Sequence, residues 1–262
     1  MRLAGMTAIV TGAASGLGEA TVRRFHKEGA RVIVADIDLA KAEKVAADLD
    51  VDGKTAKALA CDISKSEECE TLIDEAEAFF GGPVDIFHAN AGVAFSGNLL
   101  EIAPEKIERA IQINLIGAIF SAQAALRSLS RSEKPALLFT SSLQAVLGRP
   151  GRSAYTATKH AITGLVKSLS LEFGPAGVRV NALAPVGIDT PLLRDQLSRT
   201  TDNVDARIAA MADNLPLRRM PTPQDFTDSA VFLVSQEARC ITGQTLVLDC
   251  GASAGIAEPR TR

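Results

Sequence analysis

A doubly wound α/β fold, with a seven-stranded parallel sheet covered by helices on both faces, is predicted by three features of this 262-residue chain. Short β-type apolar runs alternate with amphipathic helical stretches from end to end. Those runs are continuously apolar, as strands buried on both faces require. The first of them opens directly into a glycine-rich turn and a helix.

The elements follow in order. Residues 7–10 are the first strand. Leu17, Ala20, Val22 and Phe25 recur at helical spacing and predict a helix over 16–29, closed by Gly29. A strand over 31–35 and a helix over 39–49 come next. Strands over 56–60 and 84–89 flank an acidic helix over 66–80. Pro104 begins one long helix to about residue 130. A fifth strand over 136–140 precedes a helix over 153–173, which Gly174-Pro175 closes. Strands over 178–183 and 246–248 complete the set. No linker, low-complexity tract or internal repeat divides the chain, so one domain over 1–262 is expected. The stretch from 190 to 220 fits the alternation least. It is polar, and it follows the sixth strand, where a substrate lid is expected.

Composition narrows the function classes. Hydrophobic residues are 47% and charged residues 23%, a balance that buries a core without disulfides or a structural metal. A net charge of −3, with no basic run longer than Arg218-Arg219, argues against nucleic acid. One tyrosine and no tryptophan leave no stacking platform for single strands. Cys61, Cys69, Cys240 and Cys250 form no CxxC pair and have no histidine at ligand spacing, so no metal site is expected. Cys61 and Cys250 lie in strand-like surroundings and read as small buried hydrophobes. Free thiols and the lack of a long apolar segment point to a soluble cytoplasmic protein.

The first strand runs into Thr11-Gly12-Ala13-Ala14-Ser15-Gly16-Leu17-Gly18. Glycines there permit a tight turn and let the backbone approach a pyrophosphate. The helix N-terminus supplies free N–H groups and a positive dipole end. Gly12, Ser15, Gly16, Leu17 and Gly18 are therefore candidate cofactor contacts, against the plainer reading of a strand–helix connection. Asp36 ends the second strand beside Ile37. Its carboxylate can accept from adenine-ribose hydroxyls and repel a 2′-phosphate. No arginine follows it, and Ala14 stands where a basic residue could grip that phosphate. These residues favour NAD over NADP; the alternative is a surface aspartate capping the next helix.

Tyr155 is the only tyrosine, and Lys159 stands four residues later. On a helix these positions share a face, which places an ammonium beside the phenol. A free phenol has a pKa of about 10. A nearby cation lowers it and makes the phenol a general base closer to neutral pH. Ser142 ends the fifth strand, at the ligand crevice of a doubly wound sheet, with Ser141 as its competitor. Asn90-Ala91-Gly92 ends the fourth strand in the same way and can line the ribose side. Asn114 is an amide in an apolar helix, so it needs partners, structural or functional.

Together these residues resemble the classical short-chain dehydrogenase/reductase family, over about residues 6–251. The resemblance implies a Rossmann-like fold, with Thr11 to Gly18 as the family's TGxxxGxG loop. It implies adenine binding by Asp62, followed by Ile63, and an NAG motif at 90–92. The Asn-Ser-Tyr-Lys tetrad falls on Asn114, Ser142, Tyr155 and Lys159. Ser142, not Ser141, stands at the family's usual distance from the tyrosine. By resemblance Tyr155 is the acid/base, Ser142 holds the substrate oxygen and Lys159 binds the nicotinamide ribose. Asn114 holds a water linking Lys159 to solvent. Pro185, Ile188 and Thr190 match positions at the carboxamide. Val186 stands where the family commonly has glycine, and so narrows the pocket. Cys250 replaces a glycine in Asp249-Cys250-Gly251. A homotetramer is also implied.

The function these signals predict is NAD-dependent interconversion of a secondary alcohol and a ketone. A NADP-dependent 3-oxoacyl reductase would be marked by basic residues that are missing. A non-catalytic dinucleotide-sensing protein would be marked by a broken tetrad, and this one is intact. Candidate pocket residues are Ala94, Phe95, Gln144, Val146, Leu147, Arg152, Val186 and the segment from Leu192. Most are apolar, which suits a hydrophobic or alicyclic alcohol. Arg152 either meets a substrate carboxylate or is a solvated helix-start arginine.

Overall fold

Seven parallel strands form one sheet in the order β3-β2-β1-β4-β5-β6-β7. They are β1 (Thr7–Thr11), β2 (Arg31–Asp36), β3 (Ala56–Ala60), β4 (Ile86–Ala89), β5 (Ala136–Thr140), β6 (Arg179–Pro185) and β7 (Thr245–Leu248). The computed structural model describes residues 1–198 and 200–255, apart from the side chains of 191, 192 and 196. Strand order reverses between β1 and β4, which pair as Ala8–Ile86, Ile9–Phe87 and Val10–His88.

Alternation along the strands sends successive side chains to opposite faces. Ala8, Val10, Val32, Val34, Ile86 and Leu138 meet the apolar stripes of α1 (Gly16–Lys27), α2 (Leu39–Leu49) and α9 (Pro223–Val234). Ile9, Ile33, Phe87, Leu137 and Phe139 face α3 (Ser66–Phe80), α5 (Gly117–Leu129) and α6 (Ser153–Phe173). Both faces are dry, which is why the strands carry so few polar residues. Among the described residues no helix is long and apolar enough to cross a membrane.

Several ends shift by a residue or two, and three departures from the sequence reading have a visible cause or consequence. β4 begins at Ile86 and not at residue 84, because side chains take the two preceding N–H groups. Val84 donates to Ser128 Oγ (2.8 Å) and Asp85 to Thr7 Oγ1 (2.9 Å). The long helix is interrupted: α4 (Pro104–Ile111) passes through a π turn at Gln112–Ile116 before α5 begins. The stretch from 190 to 220 holds two helices, α7 (Pro191–Ser198) and α8 (Val204–Asp213). Arg194 ties them by pairing with Asp189 (2.7 Å) and Asp205 (2.9 Å). Cys250 lies in the turn after β7 at φ +53°, a left-handed conformation that favours glycine.

His88 is the one histidine of the sheet. It is fully buried between Phe25 and Phe226. Its Nε2 lies 2.8 Å from Thr140 Oγ1, whose own proton goes to Asn90 Oδ1 (2.9 Å). Nε2 is therefore the protonated nitrogen. Burial pushes the ring's pKa down to about 3. The unfolded chain binds a proton below about 6.5 that the folded chain refuses, so stability falls as pH drops from about 6.5 towards 3. At pH 5 this single group costs about 2 kcal/mol. Urea unfolding at pH 7 and pH 5 is expected to show His88→Leu losing less stability over that interval than the natural chain, by about that amount. Equal losses in the two chains contradict the assignment.

Candidate active site

The site lies where the carboxyl ends of β1, β4, β5 and β6 open into the crevice at the switch point. It is built first by close packing. A Cβ on Gly18 would lie 2.0 Å from the Gly12 carbonyl oxygen and 2.6 Å from Asn90 Nδ2. One on Gly12, itself at φ +64°, would lie 2.9 Å from Ala91 Cα. Only glycine lets α1 and the end of β4 approach the turn this closely. Ser15 is the extended residue before α1, and its side chain caps nothing. The first N–H groups of a twelve-residue helix are thus left for an anion, with the dipole behind them. This cradle fits the pyrophosphate of a dinucleotide.

Asp36 closes one side of the cradle. Its Oδ2 accepts the Ala14 N–H and its Oδ1 the Asp38 N–H, each at 3.0 Å. The same carboxylate that would meet a ribose thus holds the turn in shape. Ile37 beside it is 71% exposed, an apolar surface suited to an adenine ring. Asp62 accepts the Ser64 N–H and hydroxyl, which hold its carboxyl below the ordinary range. Ile63 is buried against Gly117.

Asn90 departs from expectation. Its amide donates to the carbonyls of Thr11 (2.9 Å) and Gly12 (3.3 Å) and accepts from Thr140. The side chain pins the glycine turn to β5, which leaves the backbone of Ala91 and Gly92 to face the crevice. Thr11 Oγ1 accepts the N–H groups of Asn90 (3.1 Å) and Ala91 (3.2 Å). Neither Thr11 nor Thr140 was singled out by sequence; the available signal was a threonine at each strand's carboxyl end.

The four tetrad residues come together. Asn114, buried in the π turn, accepts the Val93 N–H and donates to the Val93 carbonyl, both at 2.8 Å. A Cβ on Gly92 would lie 3.1 Å from Asn114 Oδ1 and 3.8 Å from Lys159 Nζ. π turns inside helices concentrate at functional sites because they re-aim a side chain and free backbone groups. Ser142 donates to Gln144 Oε1 (2.7 Å) and faces Tyr155, whereas the Ser141 hydroxyl donates to the Lys159 carbonyl.

The electrostatics differ from the spacing argument. Lys159 Nζ lies 5.8 Å from the Tyr155 ring centroid and donates to the Thr140 carbonyl (3.0 Å). Its ammonium is buried, and burial lowers its pKa to about 8. Burial also raises the Tyr155 phenol, only partly offset by the Ser142 hydroxyl and the Arg152 guanidinium. Arg152 lies with its guanidinium carbon 5.8 Å from the same ring centroid. Pro185 is buried at the end of β6, and Val186 donates to the Leu248 carbonyl (3.0 Å). Ile188 is buried, and Thr190 Oγ1 accepts the Leu193 N–H at the start of α7. Met211 and Met220 lie within van der Waals reach of a Cβ on Gly187, so α8 and the loop after it cover this end of β6. Ala94 is exposed, while the Leu192 side chain lies outside the described residues.

A family model described as enoyl-(acyl carrier protein) reductase matches residues 12–253. The chain belongs to the short-chain dehydrogenase/reductase family. It is similar to the sex determination protein tasselseed-2 of Zea mays, at 35% identity over 96% of this chain and 82% of that one. It is also similar to (+)-borneol dehydrogenase 1 of Salvia officinalis, at 33% identity over 96% and 95%. Among solved structures it resembles a 3-ketoacyl-(acyl-carrier-protein) reductase from Brucella melitensis complexed with NADH. The TM-score is 0.86 and the identity 34%, over 96% of this chain and 99% of that one.

The buried ammonium has a thermodynamic consequence. A lysine whose pKa falls from 10.5 to about 8 on folding destabilises the fold in full below pH 8, by about 3 kcal/mol, and not at all above about 10.5. Lys159→Met is therefore expected to raise the thermal midpoint at pH 7 while abolishing turnover, with a gain that shrinks towards pH 10. A variant less stable than the natural chain at pH 7 contradicts this reading.

Proposed function

We propose that the protein is an NAD-dependent dehydrogenase that interconverts a secondary alcohol and a ketone, with Tyr155 as acid and base. The observation that carries this reading is the convergence of Ser142, Tyr155 and Lys159 beside a glycine turn whose helix N–H groups are uncapped. NAD is favoured over NADP because the Asp36 carboxylate stands at the cradle with Ala14, and no arginine, opposite it. The Brucella relative's NADH supports a nicotinamide dinucleotide of this type.

Oxidation removes a proton from the alcohol oxygen and a hydride from its carbon. Bound oxidised nicotinamide supplies the hydride acceptor and a fixed positive charge. Ser142 turns its hydroxyl from Gln144 to the substrate oxygen and orients it towards the phenol. Tyr155 Oη takes the proton, and in reduction returns it. Lys159 holds ribose hydroxyls with the donors that Thr140 leaves free, and its charge favours phenolate. Asn114 fixes the loop after β4 near this lysine through Val93. The segment 190–220 acts as the lid, with α7 and α8 over the end of β6. Reduction of 3-oxoacyl chains is the second reading, favoured by the Brucella relative; the missing basic residues count against its NADP form.

Tyr155→Phe keeps the ring and removes the proton-transfer oxygen. Turnover of the best secondary alcohol is expected to fall by at least about a hundredfold, while NADH binding by fluorescence is retained. Undiminished turnover contradicts the assignment. Asp36→Ala is expected to weaken NAD and narrow its advantage over NADP in parallel assays with both cofactors; an unchanged ratio removes Asp36 from the argument.

A further inference from the structure

Six arginines among the described residues are buried or half-buried: Arg2, Arg23, Arg24, Arg31, Arg152 and Arg179. Five are paired. Arg2 bonds Glu237, Arg23 bonds Glu19 and Asp48, and Arg24 bonds Glu28 and Asp228. Arg31 donates to the carbonyls of Phe79 and Phe80, and Arg179 to those that end α9. The Arg152 guanidinium has no hydrogen bond or ion pair among the described residues. It is half-buried, and its one contact is the Tyr155 ring, 5.8 Å from guanidinium carbon to centroid, so it has no anion to offset its partial loss of water. Exposed Arg149 adds a second positive charge close enough to push the Arg152 pKa down, as burial also does.

The surroundings define what else the ligand carries. Between Ser142 and Arg152, Val146 and Leu147 expose about two-fifths of their surface, and Val93 contributes a third apolar patch after β4. The Gly97 N–H donates to the Gly151 carbonyl (2.9 Å), which ties that loop to the turn before Arg152. The loops flanking the tetrad thus expose apolar side chains, and the Arg152 guanidinium beside Tyr155 has no anionic partner among the described residues.

We propose that Arg152 is the specificity-determining residue of this site and pairs with a carboxylate on the substrate, so that the alcohol is a hydroxy acid with an apolar frame and the ketone is the matching oxo acid. This rests on the dehydrogenase reading above. The anion sits at the α6 N-terminus, on the substrate side of Tyr155 and away from the pyrophosphate cradle. The chemistry is shared by a phosphate, and the carboxylate is favoured because Val146 and Leu147, exposed in the segment between Ser142 and Arg152, suit an apolar frame.

The test has two arms. In the first, NAD-dependent oxidation is followed for aliphatic and alicyclic hydroxy acids, their methyl esters, and 3-hydroxyacyl phosphopantetheine thioesters, with the natural chain, Arg152→Gln and Arg152→Lys. The acids are expected to be preferred. Arg152→Gln is expected to raise their KM about 10- to 100-fold and erase the acid-over-ester preference, with partial rescue by Arg152→Lys. A proportional fall in kcat for acid and ester alike means that the arginine serves the phenolate, and overturns the proposal. An Arg152-dependent preference for the thioesters overturns the carboxylate. In the second arm, calorimetry with and without NADH compares the same acids and esters as ligands. Turnover of no alcohol at all removes the dehydrogenase reading, yet tighter binding of acids that Arg152→Gln abolishes still upholds the anion site. Equal binding of acid and ester overturns it.

Discussion

The site depends on one close approach, that of the glycine turn to the end of β4. With any side chain at Gly18, α1 could not start where it does, because the Gly12 carbonyl and the Asn90 amide already occupy the space. The approach matters because neighbouring connections leave β1 and β4 towards opposite faces of the sheet. A crevice opens only at that point, and only at the carboxyl ends. The helix dipole then faces the crevice, and β5 and β6 extend its floor. Thr11, Asn90, Thr140 and His88 lock this geometry as one chain of hydrogen bonds from the turn into the core.

The reactive groups are held the opposite way, at a cost to the fold. Lys159 is buried with a single carbonyl for three donors, and Tyr155 is half-buried with its phenol pKa raised by burial. Neither group is fully satisfied by the protein's own partners. A dinucleotide that brings ribose hydroxyls to the ammonium and positive charge to the phenol relieves both together. In the proposed mechanism, cofactor binding and base activation are therefore coupled through burial, with the Lys159 ammonium 5.8 Å from the Tyr155 ring centroid and hydrogen-bonded to Thr140. Arg152, half-buried beside the same ring with no hydrogen bond or ion pair among the described residues, shows the same pattern.

Much of this was legible in the sequence because its signals are local. Strand runs, the glycine turn, and the spacings of Ser142, Tyr155 and Lys159 need only neighbours along the chain. What escaped was set by long-range partners. Nothing in Gln112–Ile116 marks a π turn: it has no proline or glycine, and its cause is the clamp between Asn114 and Val93, far along the chain. The i, i+4 rule put Lys159 on the face of Tyr155 but not in contact with it, since Thr140 captures the ammonium. Asn90 looked like a ligand because it lies at a strand's end, yet the turn uses its whole amide. The 190–220 stretch fitted the alternation least because its two helices are short and no strand lies between them, and Arg194 pairs with Asp189 and Asp205 to hold them.

The central claim is that the phenol becomes a usable base only when the cofactor is in place. One tyrosine and no tryptophan make this directly visible. Tyrosinate absorbance in the ultraviolet reports Tyr155 alone. Titrated without cofactor, the protein is expected to show no tyrosinate until above the ordinary phenol value of about 10. With saturating NAD the same signal is expected well below that value, and Lys159→Met is expected to abolish the difference. Identical titrations with and without NAD would contradict the account.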